Sequence, residues 1–196
     1  EYTGTAWVNY HQKTETISDP TELWKQVAAI EKSDYDLVWL PPANFNDTYA
    51  FAASPATAKR LNVRTLSDVA RLPERDRTFC VDDEFFSRAD GFLSMLAKYG
   101  IPYNKPNGVP PRNVTRMDAG VIYSATNNAD PCNFGEVYTT DGRVKNLGLV
   151  LLDDDKKFFL PYSGTAVVRG EIMRKYPQLA DLLGAISPVS YTHLTL

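Results

Sequence analysis

Four tyrosines in this chain of 196 residues, Tyr2, Tyr49, Tyr138 and Tyr162, each fall beside an expected strand end or crossover. Open α/β sheets present their ligand sites at such places. Phenol rings gathered around a space turn their negative faces toward it, which suits a cation with no hydrogen to donate, a quaternary ammonium. Spacing leaves a second reading open, in which the four are unrelated core or surface rings. Other chemistry has less support. Asp153-Asp154-Asp155 is the densest acidic run and the first place to look for acid–base catalysis, but Lys156-Lys157 follows directly, the pattern of a solvated turn. His11 and His193 stand far apart, and no Gly-x-Ser-x-Gly elbow accompanies them, which argues against a serine triad. Glycine-rich phosphate loops are absent. Cys80 and Cys132 are either a disulfide or two buried thiols, and residue counting leaves both open.

Composition narrows the classes further. The net charge is −3 with no Lys/Arg cluster, so nucleic acid is not an expected partner. No apolar run approaches the roughly 20 residues that span a bilayer. Two histidines and two cysteines exclude most zinc sites, so neither a metal nor a cofactor is expected. Aromatic residues make up 12% of the chain, eleven of them Tyr, which points to recognition as well as to a core.

The elements that must position these residues alternate. Asp19 reads as an N-cap, Pro20 as the first helical residue and Glu22 as the partner in a capping box, with Leu23, Val27 and Ile30 on one face. Asp36-Leu37-Val38-Trp39-Leu40 reads as a buried strand halted by Pro41-Pro42, and Thr48-Tyr49-Ala50-Phe51-Ala52 as a second. Short helices follow from Ser54-Pro55 and over 67–72. A strand at 78–81 leads into one helix over 84–99, then a proline-rich loop over 102–111 and a helix over 117–127. Strands at 133–138 and 147–152 flank a turn at Asp141-Gly142, and a strand at 165–169 precedes a helix with Leu179, Leu182, Leu183 and Ile186 on one face. The pattern predicts an α/β protein with mainly parallel sheets.

Two crossovers, at the prolines 41–42 and around 158–162, predict a second lobe over 46–160. The flanks 1–45 and 161–187 then form a discontinuous remnant of the first lobe. Residues 188–196 lack helical or strand patterning and read as a non-native tail. The start, Glu1-Tyr2-Thr3-Gly4-Thr5, reads as the middle of a fold, with an N-terminal part of that lobe and any signal peptide outside this chain.

Five segments carry a resemblance: Glu1-Tyr2-Thr3-Gly4-Thr5, Asn46-Asp47-Thr48-Tyr49-Ala50-Phe51-Ala52, Phe86-Ser87-Arg88-Ala89-Asp90-Gly91, Glu136-Val137-Tyr138-Thr139-Thr140-Asp141-Gly142-Arg143 and Phe158-Phe159-Leu160-Pro161-Tyr162. In this order, from residue 1 to about 187, the chain resembles the substrate-binding proteins of glycine betaine/carnitine/choline (osmoprotectant) ABC transporters. The resemblance implies a two-lobed periplasmic-binding-protein fold of type II that closes around a quaternary amine. It implies a tyrosine cage of Tyr2, Tyr49, Tyr138 and Tyr162, a ligand carboxylate paired with Arg88, and a ligand contact at Thr5. A guanidinium forks onto a carboxylate, and a neutral hydroxyl at Thr5 does not repel one, so these two lean toward a betaine-like zwitterion. Arg88 has an alternative, a pair with Asp90 inside its own lobe. Cys80 and Cys132 resemble a pair in some branches of the family, which implies a bridge. The implied partner is a membrane permease, and the implied location is periplasmic or extracellular, anchored at the cell surface. The rival readings are an enzyme on a similar two-lobed scaffold, with Asp141 or Asp153 as acid or base, and a binding domain fused to its permease.

Overall fold

The computed structural model describes residues 1–187; the expected tail at 188–196, with His193, lies outside the described residues. The chain forms two compact units, one from Glu1–Thr48 together with the chain from Leu160 onward, the other from Tyr49–Phe159.

The first unit opens on a short helix, α1 (Thr3–Thr5), which widens into a π-helical turn over Ala6–Tyr10. Helix α2 (Pro20–Tyr35) starts where the sequence predicts. The Asp19 carboxylate accepts from the Glu22 backbone N–H at 2.7 Å. The Glu22 carboxylate instead accepts from Gln26 one turn on, at 2.9 Å, so the described bonds complete only half of the expected capping box. Leu23 and Val27 are buried, as is Glu31, whose carboxylate lies 2.7 Å from the equally buried His11 Nε2. Strand β1 (Leu37–Trp39) follows a left-handed turn at Asp36.

The second unit begins with β2 (Tyr49–Ala53), α3 (Pro55–Leu61) and α4 (Leu66–Arg71). Ser54 caps α3, and Thr65 with Asp68 forms a complete capping box on α4. Then come β3 (Phe79–Val81), α5 (Asp83–Ser87), α6 (Phe92–Lys98), β4 (Val114–Arg116), α7 (Ala119–Asn128), β5 (Phe134–Tyr138), α8 (Gly142–Asn146) and β6 (Val150–Leu151). The expected single helix over 84–99 is two helices. Its pattern of apolar residues continues, but at Gly91 any Cβ would stand 2.0 Å from the Phe85 carbonyl oxygen. The backbone there passes too close for a continuous helix of ordinary residues. The chain then returns to the first unit with β7 (Val167–Arg169), α9 (Gly170–Lys175) and α10 (Leu179–Ile186). On α10 the expected apolar face leaves Leu182 and Ile186 exposed.

The sheets are mixed rather than mainly parallel. In the second unit the order is β4-β3-β5-β2-β6, with β3 parallel to β4 and β5, and β2 antiparallel to both of its neighbours. In the first unit β1 and β7 pair antiparallel. The parallel strands are joined through helices, as parallel pairing requires, whereas β2 arrives directly from the crossover and runs against β5. For the same reason Asp141-Gly142 is not a hairpin turn. Asp141 caps α8 by accepting from the Arg143 N–H, and β6 goes back to pair with β2.

Strand alternation sorts the core of the second unit into two faces. One carries Phe51, Phe79 and Phe134, closed by Phe85 and Phe92, all fully buried. The other carries Ala50, Ala52 and Val137 against Tyr123, Val144 and Leu149. Cys80 on β3 is bonded to Cys132 in the loop before β5, with Cα atoms 5.7 Å apart, among Ile122 and Ala125.

Candidate functional site

Pairing register brings two of the candidate tyrosines together. Tyr49 lies directly opposite Tyr138 across β2 and β5, with ring centroids 5.2 Å apart and tilted by 40°. Phe85, from α5, stacks on Tyr49 at 4.6 Å, and the Arg88 guanidinium carbon stands 5.5 Å from the Tyr49 centroid. Tyr49 is buried and Tyr138 half-buried, so one ring backs the other. Burial, with the Tyr49 and Glu136 side chains next, pushes the Tyr138 phenol well above its ordinary range, so this ring is neutral at physiological pH. Behind it, the Tyr138 backbone N–H donates to the Tyr123 hydroxyl at 3.1 Å. Arg143, forked onto Asp141, covers the Tyr123 ring at 3.9 Å. That fork holds the Asp141 carboxyl below the usual carboxylate range, which makes Asp141 an ion-pair partner and helix cap.

Arg88 takes the alternative pairing. Its Nε and Nη2 fork onto Asp90 at 2.9 Å each, and Nη1 donates to Glu84 at 3.0 Å. A ligand carboxylate therefore reaches the forked edge of Arg88 only by displacing Asp90.

One acidic side chain in this unit has an environment that its own sequence does not signal. Glu136 is buried on β5, on the same face as Tyr138 and opposite Phe51, and its carboxylate accepts from the Asp82 backbone N–H at 3.0 Å. Burial pushes its carboxyl up to about 8; the bond from the Asp82 N–H opposes this, the Asp82 and Glu84 charges add to it, and Arg88 opposes it. A carboxyl raised in the folded state favours folding while protonated. That stability is complete below the ordinary value of 4.5 and is lost as pH rises through about 8. Glu136→Gln is expected to flatten this decline, as read from urea midpoints across that window; an unchanged pH profile would contradict the assignment.

The other unit holds Tyr2, Thr5 and Tyr162. Tyr2 forms an isolated bridge with Gly164, and the Thr3 N–H donates to the Ser163 carbonyl at 3.2 Å, which lays the start of α1 against 161–165. The Tyr2 hydroxyl donates to the Asp47 carboxylate at 3.1 Å. Burial, followed by that charge, pushes the Tyr2 phenol up to about 12. Asp47 also donates its backbone N–H to the Tyr162 carbonyl at 3.0 Å, and Asn46 Oδ1 accepts from the Tyr162 N–H at 2.6 Å. Asn46 and Asp47 thus bracket both tyrosines. Thr5 is half-buried one turn after Tyr2.

Gly4 makes the Tyr162 position possible. A Cβ there would stand 2.8 Å from the Tyr162 ring and 2.9 Å from the Pro161 carbonyl oxygen. Gly4→Ala is expected to lower stability by about 1–3 kcal/mol, because ring and backbone must both give way. Urea unfolding of the full-length protein checks this, and an unchanged midpoint would show that the ring moves freely.

Tyr49, Tyr138 and Arg88 therefore lie together in one unit, and Tyr2, Thr5 and Tyr162 in the other. Asp153, the other acid–base candidate, forms an isolated bridge with Thr65 through its backbone. Among the described residues no group of His, Cys, Asp and Glu is arranged to hold a metal ion.

The family of the substrate binding domain of ABC-type glycine betaine transport systems matches residues 1–195, a range that includes the segment from 188. The chain belongs to this family. The family is one of transporter substrate-binding domains rather than enzymes. A glycine-betaine-binding protein of Pseudomonas aeruginosa is 35% identical over 194 residues, covering 95% of this chain and 60% of that one. An ergothioneine transport permease/ergothioneine binding protein of Helicobacter pylori is 33% identical over 186 residues, covering 93% of this chain and 31% of that one. Among solved structures, a glycine betaine/carnitine/choline ABC transporter protein superposes with a TM-score of 0.72 at 28% identity, over 95% of this chain and 64% of that one. The chain thus spans three-fifths or less of the curated relatives named here, and its fold is that of the family's periplasmic substrate-binding proteins.

Proposed function

We propose that this chain is the solute-capturing part of an ABC importer that takes up a quaternary ammonium osmoprotectant of the glycine betaine type. The observation that carries this reading is the Tyr49–Tyr138 pair, set side by side by strand register with rings tilted by 40°, and backed by Phe85. These phenols receive the methylated cation, and Tyr2 and Tyr162, fixed by Asn46 and Asp47, are the further rings proposed to contact it. Each desolvated cation–π contact is worth roughly 0.5–2 kcal/mol, so several rings supply much of the roughly 8 kcal/mol that micromolar affinity needs. The ligand's carboxylate is received by the Thr5 hydroxyl, and by Arg88 when it exchanges Asp90 for the ligand. No step of catalysis is required. The protein acts outside the cytoplasm, in the periplasm or at the cell surface, and delivers its ligand to a membrane permease.

A binding domain fused to its permease is the second reading. It is favoured by the printed name of the Helicobacter relative, of which this chain covers 31%. Among the described residues no helix is long and apolar enough to cross a membrane.

A thermal-shift screen of the full-length protein against glycine betaine, carnitine and choline tests the function. A ligand at about 100 times its dissociation constant adds about 2.7 kcal/mol to native stability and raises the melting point by several degrees. No shift with any of the three would overturn the proposal.

A further inference from the structure

Glu136 stands where nothing in the cage itself requires an acid. Its strand face is otherwise aromatic, with Phe134 before it, Phe51 across from it and Tyr138 two residues on. Its one described hydrogen bond goes to the N–H of Asp82, the cap of α5, and α5 carries the Phe85 ring that stacks on Tyr49. The carboxyl therefore ties the strand bearing Tyr138 to the helix that backs Tyr49. We propose that Glu136 is a positioning and charge-setting residue of the aromatic site, which aligns α5 with β5 and holds, on the strand face of Tyr138, a carboxyl that once ionised favours ligands of net positive charge over zwitterions. This rests on the reading of Tyr49 and Tyr138 as a cation site.

The surrounding charges make the effect specific. The charges of Asp82, Glu84 and Arg88, all on or flanking α5, act on the carboxyl; β2 places Phe51 opposite it, and Phe79 of β3 and Phe92 of α6 pack in the same aromatic layer. The Arg88 charge is already matched by Asp90 and Glu84. An ionised Glu136 therefore adds net negative charge on the strand face that carries Tyr138, two residues on. A cation held on those rings stabilises the ionised form, and by reciprocity the ionised form binds the cation more tightly. A zwitterion, whose carboxylate offsets its ammonium, gains less.

The test is calorimetry on the full-length protein, with choline and glycine betaine, at about pH 6 and about pH 9, for the wild type and Glu136→Gln; the amide keeps the acceptor to Asp82 and removes the charge. The wild type is expected to bind choline roughly three- to tenfold tighter at the higher pH and glycine betaine with a smaller change, whereas the variant shows no rise for either. Near pH 8, choline binding by the wild type is expected to release protons, seen as heats that differ between buffers of different ionisation enthalpy, and the variant releases none. Pocket alignment alone would move affinity without moving protons. Wild-type affinity that is independent of pH, or equal proton release in both proteins, would overturn the role of Glu136 while leaving the cage intact. A wild type that binds neither ligand at either pH would overturn the cage and this inference together.

Discussion

Tyr49→Ala is expected to weaken glycine betaine binding by the full-length protein at least about 30-fold, and Tyr138→Ala by a similar factor, whereas Tyr49→Phe changes it less than about threefold. The alanine variant loses a cation–π face and, with it, the surface on which Phe85 and Tyr138 rest. A phenyl ring keeps both. Tyr49 is only 6% exposed, so its truncation also destabilises the unit, by about 3–5 kcal/mol on the usual scale for a buried aromatic. Tyr138 is half-buried and its truncation is milder for the fold, which makes it the cleaner measure of binding. Calorimetry well below the melting point of each variant separates the two effects. Unchanged affinity in both alanine variants would remove the tyrosine pair from the site.

Replacing Cys80 and Cys132 by alanine is expected to lower unfolding free energy by about 2–4 kcal/mol, the range for a bridge closing a loop of this length. The bond joins β3 to the loop that feeds β5, residues 52 apart in sequence. It therefore restrains the strand on which Glu136 and Tyr138 sit, next to the β3–β5 parallel pairing. Denaturant unfolding of oxidised protein against the double variant measures the difference. A free-energy difference of less than about 0.5 kcal/mol would show that packing of Ile122 and Ala125 around the two sulfurs suffices without the bond.

What the sequence discloses and what it conceals follow from how local each feature is. The caps at Asp19, Ser54 and Thr65 depend on residues within a turn of themselves, so helix starts are legible. The break between α5 and α6 is not, because Phe92, Met95 and Leu96 continue the apolar period. The first helix ends where Arg88 turns extended, and Gly91, packed against the Phe85 carbonyl, starts the second. Strand direction is likewise invisible in a strand's own residues; β2 reads as one more buried run, and only its partners show that it runs against β5.

The site divides along the same line. Tyr49 and Tyr138 are recognisable as tyrosines near strand ends, yet their meeting is a matter of register between segments far apart in the chain. Arg88 carried two readings two residues from Asp90, and its fork is satisfied locally. Asp47 lay in plain view beside Asn46, but its bond to the Tyr2 hydroxyl depends on how α1 lies against 161–165. The burial of Glu136 is not legible from its own strand, where an acid between Gly135 and Val137 reads as any polar residue. Its neighbours on the buried face are supplied by β2, α5 and α6, none of which its own sequence names.

The most direct measurement compares choline with its neutral isostere 3,3-dimethylbutanol, in which carbon replaces the charged nitrogen, by calorimetry on the full-length protein. If phenol faces hold the ligand through its charge, the neutral compound binds at least about tenfold more weakly, a difference of about 1.4 kcal/mol or more. Equal affinity for the two would mean that the rings offer only an apolar slot, and the account of a cation cage would be wrong.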